Sequence, residues 1–229
     1  VWNPATDPYL TTNYDLGNLS GKNECKSALQ AEMGLPEVPG VPLIGIVSRL
    51  TGQKGFDFSL PAIAKVLSEK VQFAILGSGE RWIVEEIARL SEMNPEKLKF
   101  HDGYSEPLAH RIEAGSDFFL MPSLYEPCGL NQMYSLRYGT LPIVRAVGGL
   151  RDTVWEEDKS GGDGTGFIFT EPTAENTLAA IKRGIDCFTN DRASFQSRMN
   201  LGMRQRFSWK NTATQYEKIY AKALITPIN

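Results

Sequence analysis

Short apolar runs alternate with longer amphipathic stretches along most of this chain. Residues 42–48 form an apolar run bounded by proline and arginine, which predicts a buried strand. In residues 56–69 the apolar positions recur at helical spacing and predict an amphipathic helix. The alternation repeats, predicting strands at 71–76, 98–101, 117–121, 141–145 and 166–169, and helices at 80–90, 107–115, 129–138 and from about 150.

This order of elements predicts an α/β fold, a Rossmann-like parallel sheet with helices on both faces. Residues 1–20 show no period and are expected to form an incoming interdomain segment. The Rossmann-like domain is predicted over 21–229. It begins with a helix that ends near Gly34 and finishes with helices in 174–225, at 174–185, 192–206 and 208–224.

Composition narrows the class of protein. The chain has 229 residues, 41% of them hydrophobic, which is enough for a sizeable core. A net charge of -3 gives no polyanion-binding signature, so no nucleic-acid partner is expected. No apolar run reaches the ~18–20 residues that a membrane span needs, so no membrane partner is expected. The opening Val1-Trp2-Asn3-Pro4 lacks an initiator methionine and indicates a fragment of a longer polypeptide.

The three cysteines bear on the cellular compartment. Cys25, Cys128 and Cys187 are odd in number and show no CxxC spacing. This pattern argues against a disulfide framework or a zinc site and fits a reducing compartment. The expected location is the cytoplasm, or the plastid stroma if the source is a plant.

Two cations follow the first predicted strand. Arg49 and Lys54 flank Gly52, just past the apolar run. Because ligands of parallel sheets gather at the carboxyl ends of the strands, these cations are expected at a ligand site. Arginine offers a planar fork and lysine a mobile point charge, so the pair suits a diphosphate leaving group. Either residue alone would be interpreted as a surface cation.

A carboxylate and a small residue follow the fourth predicted strand. Glu126 precedes Pro127-Cys128-Gly129-Leu130, and Gly129 is expected to open a helix. Backbone N–H groups and the helix dipole would face a ligand there, and Glu126 would accept hydrogen bonds from sugar hydroxyls or stabilise positive charge on an anomeric carbon. A simple helix-capping acid is the alternative. Cys128 is interpreted as a pocket-lining residue, since no paired base is visible.

Other loops at the same edge carry weaker signals. Gly148-Gly149 opens a short predicted helix and suits the approach of a phosphate. Tyr104 offers a flat face for a nucleobase, whereas His101 is interpreted as a packing residue. Asp102 and Glu106 are candidates to cap the helix that follows. Gly77-Ser78-Gly79 is expected to close a strand, but it lacks the third glycine of a dinucleotide fingerprint.

One further glycine-rich stretch is interpreted as structural. Residues 161–166 include four glycines but are followed by Phe167 instead of the lysine of a phosphate-binding loop. A hairpin-like loop before the last strand is therefore favoured over a phosphate cradle.

Taken in order, these motifs resemble those of starch and glycogen synthases over nearly the whole chain. The matching motifs are Ser48-Arg49-Leu50-Thr51-x-Gln53-Lys54-Gly55, His101-x-Gly103-Tyr104, Pro122-Ser123-x-Tyr125-Glu126-Pro127-Cys128-Gly129-Leu130, Tyr138-Gly139-Thr140-x-Pro142, Gly148-Gly149-Leu150-x-Asp152-Thr153-Val154 and Phe207-Ser208-Trp209.

The resemblance implies the donor-binding, C-terminal half of a retaining glucosyltransferase with two Rossmann-like domains. Such an enzyme moves glucose from ADP-glucose to the nonreducing end of an α-1,4-glucan. It implies that Arg49 and Lys54 contact the diphosphate and that Glu126 is catalytic. No cofactor or metal is implied. The acceptor glucan is expected to bind mainly through an N-terminal half, without which this chain should bind donor weakly and turn over little.

The resemblance also implies sugar contacts from the backbone around Cys128, Gly129 and Leu130, and an adenine contact from Tyr104. Two positions depart from the pattern. Tyr134 stands where relatives in the wider superfamily carry a second glutamate, which favours ADP-glucose over a UDP-sugar. Asn131 replaces a threonine found in many synthases. A UDP- or GDP-sugar transferase and a non-catalytic nucleotide- or glucan-binding module remain as alternatives.

Overall fold

Six parallel strands form one sheet, flanked by nine helices in the part of the chain that is described. The computed structural model describes residues 2–38, 40–157, 160–207 and 209–225. Val1 and Ser208, which belong to two of the motifs quoted above, lie outside these residues. The strands are β1 (Leu43–Leu50), β2 (Gln72–Gly79), β3 (Leu98–Asp102), β4 (Phe118–Met121), β5 (Leu141–Arg145) and β6 (Phe167–Phe169).

The helices largely follow the predicted alternation. They are α1 (Ser20–Met33), α2 (Phe56–Val66), α3 (Arg81–Met93), α4 (Glu106–Gly115), α5 (Asn131–Arg137), α6 (Gly148–Thr153), α7 (Ala174–Asn190), α8 (Arg192–Arg204) and α9 (Trp209–Ile225). Gly34 ends α1 in the left-handed conformation, with φ of 72°, as its position at the end of the helical pattern predicts.

The order of the strands determines where on the sheet a ligand can bind. The order is β3-β2-β1-β4-β5-β6, and every pairing is parallel. β1 therefore lies between β2 and β4, and the chain moves to one side of β1 for β2 and β3 and to the other side for β4 to β6. This change of direction leaves a crevice between the carboxyl ends of β1 and β4. Ligands of doubly wound sheets bind at such a switch point. The α/β Rossmann-like prediction is confirmed.

Alternating side chains fill both faces of the sheet. Ile44 and Ile46 of β1 pack into one apolar cluster, on the side of α2 and α7. Leu43 and Phe119 pack into a second cluster with α1 and α4. Because successive strand residues point to opposite faces, a one-residue shift of register would exchange the two cores. None of the helices over the described residues is long and apolar enough to cross a membrane.

The N-terminal segment is irregular, as its lack of period predicts, but it packs closely on the domain. The Trp2 indole stacks on the rings of His110 and Tyr134, with centroid distances of 3.6 and 4.2 Å. The buried carboxylate of Asp7 accepts a hydrogen bond from the Tyr138 hydroxyl and lies 2.6 Å from Nδ1 of His110. These contacts fix the direction in which the chain enters the domain. Its role as an interdomain segment stays a prediction.

Beneath α5 lies a buried carboxyl group that predicts a pH-dependent stability. Glu113 is 1% exposed, and its Oε2 accepts a hydrogen bond from Ser135. Burial raises the pKa of Glu113 from 4.5 to about 8, against the smaller opposing effects of Ser135 and Lys22. The folded chain thus keeps a proton that the unfolded chain releases, so the free energy of unfolding should fall as pH rises from about 4.5 to 8.

Glu113→Gln should flatten this slope, because glutamine has no proton to release. Between pH 5 and pH 8 the wild-type chain should lose on the order of a few kcal/mol of unfolding free energy that the variant keeps. Urea titrations at pH 5, 6, 7 and 8 would measure it. Lys22, whose pKa burial lowers from 10.5 to about 8, adds its own pH dependence only above that window. Glu92→Gln, an exposed control, should keep the wild-type slope. Equal slopes for Glu113→Gln and wild type would contradict the prediction.

Candidate active site

A cavity of about 210 Å³ lies in the crevice at the switch point of the sheet. The end of β1 lines one wall and the end of β4 lines the other. Arg49, Lys54 and Glu126 all line this cavity, although they come from distant parts of the sequence. The structure therefore brings together the three residues that the sequence marks for chemistry.

Lys54 and Glu126 form an ion pair in the lining of the cavity. Nζ of Lys54 donates to Oε2 of Glu126 at 2.5 Å, and the two side chains are only 19% and 11% exposed. Ser123 Oγ donates to the same carboxylate oxygen at 3.2 Å. These contacts hold the carboxylate in one orientation, and partial burial strengthens the electrostatic attraction between the two groups.

Arg49 lies inside β1 because the strand runs on to Leu50, two residues beyond the predicted end. The prediction that Arg49 lies just past the strand is therefore wrong by a short distance. Additional pairing with β2 extends the strand, since Arg49 is in register with Ser78. Arg49 is exposed, and its guanidinium has no ion-pair partner among the described residues. It can therefore receive an anion without breaking an existing contact.

The same pairing changes the interpretation of Gly77-Ser78-Gly79. The sequence predicts that they follow the strand, but they lie inside it. They form the last three residues of β2 and pair with Ser48, Arg49 and Leu50. A side chain at either glycine would collide with a carbonyl oxygen of β1, at 2.1 Å from Cβ. The glycines are therefore required for the close approach of the two strands.

Two loops that carry the charged residues hold each other in place. Residues Gly52–Lys54 form a 3-10 turn that presents Lys54. The backbone N–H of Leu124 donates to the Gln53 carbonyl at 2.9 Å, and Gln53 Nε2 donates to the Tyr125 carbonyl at 3.2 Å. The position of Lys54 is thereby coupled to that of Glu126.

The helix after Glu126 begins later than predicted. Gly129 does not open it: α5 begins at Asn131, and Gly129 has φ of 74°, a conformation that L side chains rarely adopt. The loop between Glu126 and α5 therefore ends in a left-handed turn. Asn131 ties this turn to β1 through a hydrogen bond from Nδ2 to the Val47 carbonyl at 3.0 Å.

Gly148 and Gly149 open α6 as predicted, and the structure gives them a packing role. A Cβ at Gly148 would lie 2.1 Å from the Glu126 carbonyl, and one at Gly149 would lie 2.1 Å from the Cys128 carbonyl. The Gly149 N–H donates to the Glu126 carbonyl at 3.2 Å. The glycine pair therefore packs against the backbone of the loop that contains Glu126 and Cys128. The predicted contact of these two glycines with the donor stays a prediction.

A second cavity, of about 260 Å³, adjoins the first and shares Arg49 with it. Tyr104 lines this cavity and is 80% exposed, which leaves its ring free to cover a planar ligand. His101 is exposed, so its interpretation as a packing residue is wrong. Ser105, and neither Asp102 nor Glu106, caps α4, because its side chain accepts the Leu108 N–H.

Further residues lie around the cavity and in the loops next to it. Leu130 lines the first cavity and is 54% exposed. Cys128 is exposed, but it is not among the residues that line this cavity, so its role as a pocket-lining residue stays a prediction. Arg145, at the end of β5, donates to the carbonyls of Leu124 and Thr170 and so has a structural role. Asp163 of the glycine-rich stretch pairs with Glu157 in an antiparallel bridge, which fits the structural role favoured from the sequence.

Sequence reasoning missed the polar side chains that support the loop. Ser123, Gln53 and Gln132 contact Glu126 or the backbone around it. A single sequence offers no signal for them, because a serine or glutamine near a loop is common. Only the three-dimensional neighbourhood distinguishes them.

Known proteins resemble this chain closely. It is 49% identical to a glycogen synthase from Aeromonas hydrophila subsp. hydrophila, over 97% of this chain and 46% of that relative. It is 43% identical to soluble starch synthase 1, chloroplastic/amyloplastic, from Solanum tuberosum, over 99% of this chain and 36% of that relative. The chain therefore spans about half the length, or less, of the curated relatives it matches.

A solved structure agrees with the fold in detail. The catalytic domain of starch synthase IV from Arabidopsis thaliana, bound to ADP and acarbose, superposes with a TM-score of 0.89 at 35% identity. The match covers 98% of this chain and 47% of that protein. The family model described as glycosyl transferases group 1 matches residues 34–205, which include the β1 and β4 crevice. By that match, the chain belongs to the group 1 glycosyl transferases.

Proposed function

We propose that this chain is the donor-binding half of a glycogen or starch synthase. The whole enzyme would transfer glucose from ADP-glucose to the nonreducing end of an α-1,4-glucan with retention of configuration. The observation that carries this proposal is the convergence of Arg49, Lys54 and Glu126 on one cavity at the switch point of the sheet. The identity to glycogen and starch synthases along nearly the whole chain supports it.

Each residue then has a chemical role. Arg49 and Lys54 bind the diphosphate, and they stabilise the negative charge that grows on it as the bond to glucose breaks. Glu126 faces the sugar, where its carboxylate stabilises positive charge on the anomeric carbon. The bond between the anomeric carbon and the diphosphate oxygen breaks, and the glucosyl group forms a bond to the acceptor hydroxyl oxygen, which releases its proton. The products are ADP, which leaves with the bonding electron pair, and a glucan longer by one residue. The acceptor glucan is held mainly by an N-terminal half.

The remaining site residues hold the donor. Tyr104 stacks on the adenine in the second cavity, next to the diphosphate cations. Backbone groups of Cys128, Gly129 and Leu130 contact sugar hydroxyls, and Gly148 and Gly149 complete the wall. Closure of two domains would exclude water and position the acceptor, so the chain alone should bind donor weakly and turn over little. The proposed location is the cytoplasm, or the plastid stroma if the source is a plant.

A competition titration tests the choice of nucleotide. ADP should displace a fluorescent ADP analogue from the chain at a lower concentration than UDP or GDP, because Tyr134 replaces the second glutamate of the wider superfamily and thereby favours ADP-glucose. Adding a divalent metal ion should not change this order, since Arg49 and Lys54 hold the diphosphate. Stronger displacement by UDP or GDP would contradict ADP-glucose and favour the related UDP- or GDP-sugar transferases.

A further inference from the structure

A buried glutamine lies directly behind the loop that follows Glu126. Gln132 is 0% exposed and belongs to the first turn of α5. Its Nε2 donates to the carbonyls of Cys128 and Gly129, at 3.0 and 3.1 Å, and lies 3.2 Å from Oγ1 of Thr153. One side-chain amide therefore holds two successive peptide groups of the loop.

Holding the two carbonyls also fixes the two N–H groups that share their peptide planes. All described peptide bonds are trans, so an N–H points away from the carbonyl of its own peptide group. The Cys128 carbonyl and the Gly129 N–H belong to one peptide group, and the Gly129 carbonyl and the Leu130 N–H belong to the next. Both carbonyls face the buried amide, so both N–H groups face away from it.

These two N–H groups are available to a ligand. Among the described residues, no acceptor receives a hydrogen bond from the backbone N–H of Gly129 or of Leu130. Both residues line the cavity that also holds Lys54 and Glu126. Successive N–H groups pointing into a concave surface form a site for oxygen acceptors.

We propose that Gln132 is a positioning residue, which turns the N–H groups of Gly129 and Leu130 toward the hydroxyl groups of the donor sugar. The inference rests on the proposed function, which already includes the sugar contacts of this backbone, and deepens it by assigning the orientation of two peptide groups to one side chain. Gln132 itself touches neither the sugar nor the diphosphate.

The other end of the glutamine side chain supports this role. Oε1 of Gln132 is buried and has no hydrogen-bond partner among the described residues. Exchanging the amide oxygen and nitrogen would direct an oxygen at the carbonyls of Cys128 and Gly129, so the amide keeps one orientation. An unpartnered buried acceptor opposes folding. The Gln132 side chain therefore holds the loop through Nε2, although this orientation leaves Oε1 without a hydrogen bond.

Gln132→Met tests the inference, because methionine has nearly the same length and cannot donate to the two carbonyls. Calorimetric titrations of the chain with ADP and with ADP-glucose would measure the effect. The Kd for ADP-glucose should rise about 10-fold or more, the loss of oriented hydrogen bonds. The Kd for ADP should stay within about two-fold, because Arg49 and Lys54 are unchanged. Gln132→Glu, whose carboxylate repels both carbonyls, should show the same split.

Gln72→Met is the matched control. Gln72 is a buried glutamine at the opposite edge of the sheet, and its Nε2 also donates to backbone carbonyls, those of Pro36 and Glu96. This variant loses the same chemical group at the same depth but should bind both ligands as wild type does. Thermal unfolding of all variants separates lost binding from lost folding.

Amide NMR spectra of the wild-type chain give a second test, which needs no variant to fold. ADP-glucose should shift the Gly129 and Leu130 amide protons, and ADP should shift them little. Equal weakening of ADP and ADP-glucose by the Gln132 variants, or unmoved Gly129 and Leu130 amides, would overturn the positioning role. A wild-type chain that binds neither ligand would overturn the proposed function as well, whereas binding of both without the split overturns the positioning role alone.

Discussion

Glu126→Gln is expected to lower glucose transfer about 10³-fold, a loss typical of removing a group that stabilises transition-state charge. The neutral amide keeps the size of the side chain but cannot stabilise positive charge on the anomeric carbon. ADP binding should change little, because the diphosphate cations remain. The chain covers only 46% of the length of the Aeromonas hydrophila glycogen synthase. The assay therefore uses a fusion of this chain with the remaining part of that synthase, and it measures glucan elongation.

The control for this experiment is Glu96→Gln, which alters an exposed carboxylate before β3 and should keep the activity of the joined protein. Unchanged elongation by Glu126→Gln would remove Glu126 from the mechanism. A joined protein that binds ADP but elongates no glucan would instead favour the alternative of a non-catalytic nucleotide- or glucan-binding module.

Lys54→Met is expected to weaken ADP binding by roughly 10- to 100-fold, the loss of one charge-assisted hydrogen bond worth about 1.5–3 kcal/mol. It should also lower the thermal unfolding temperature, because Glu126 is left partly buried without its ion-pair partner. Titration calorimetry and thermal unfolding of the same sample measure both effects.

Arg49→Met provides the comparison that separates these two effects. Arg49 is exposed and has no ion-pair partner among the described residues. Its replacement should therefore weaken ADP binding by a similar factor while leaving the unfolding temperature close to that of wild type. ADP affinity that is unchanged in both variants would contradict the assignment of the diphosphate to these cations.

Much of the fold could be predicted from the pattern of apolar residues. Runs such as 42–48 are continuous because both faces of a parallel strand are buried, and they were separable from helices by length and spacing. Strand ends were less predictable. Hydrogen bonding to β2 extends β1 through Arg49 and Leu50. The charged Arg49 interrupts the apolar run, so the run does not show that the buried Leu50 still belongs to the strand.

The site residues with charge could also be predicted. Arg49 lies at the carboxyl end of β1, Lys54 follows β1 and Glu126 follows β4. Because the carboxyl ends of parallel strands meet at one edge, their convergence follows from the fold class. The order of the strands, which creates the crevice between β1 and β4, could not be predicted from periodicity. It arises from contacts between elements distant in sequence.

The supporting residues could not be predicted. Gln132 looks like one polar position in an amphipathic helix, and its function depends on two carbonyls brought close by a left-handed turn at Gly129. The sequence predicts that Gly148 and Gly149 allow a phosphate to approach. In the structure, their close contacts are with the backbone of Glu126 and Cys128. Packing between neighbouring loops decides such roles.

A crystal structure of the chain with ADP-glucose tests the central claim most directly. The account predicts the diphosphate within hydrogen-bonding distance of Arg49 and Lys54, the glucose against Glu126 and the Gly129 and Leu130 amides, and the adenine on Tyr104. A donor bound outside the crevice between β1 and β4, or with its sugar away from Glu126, would contradict it.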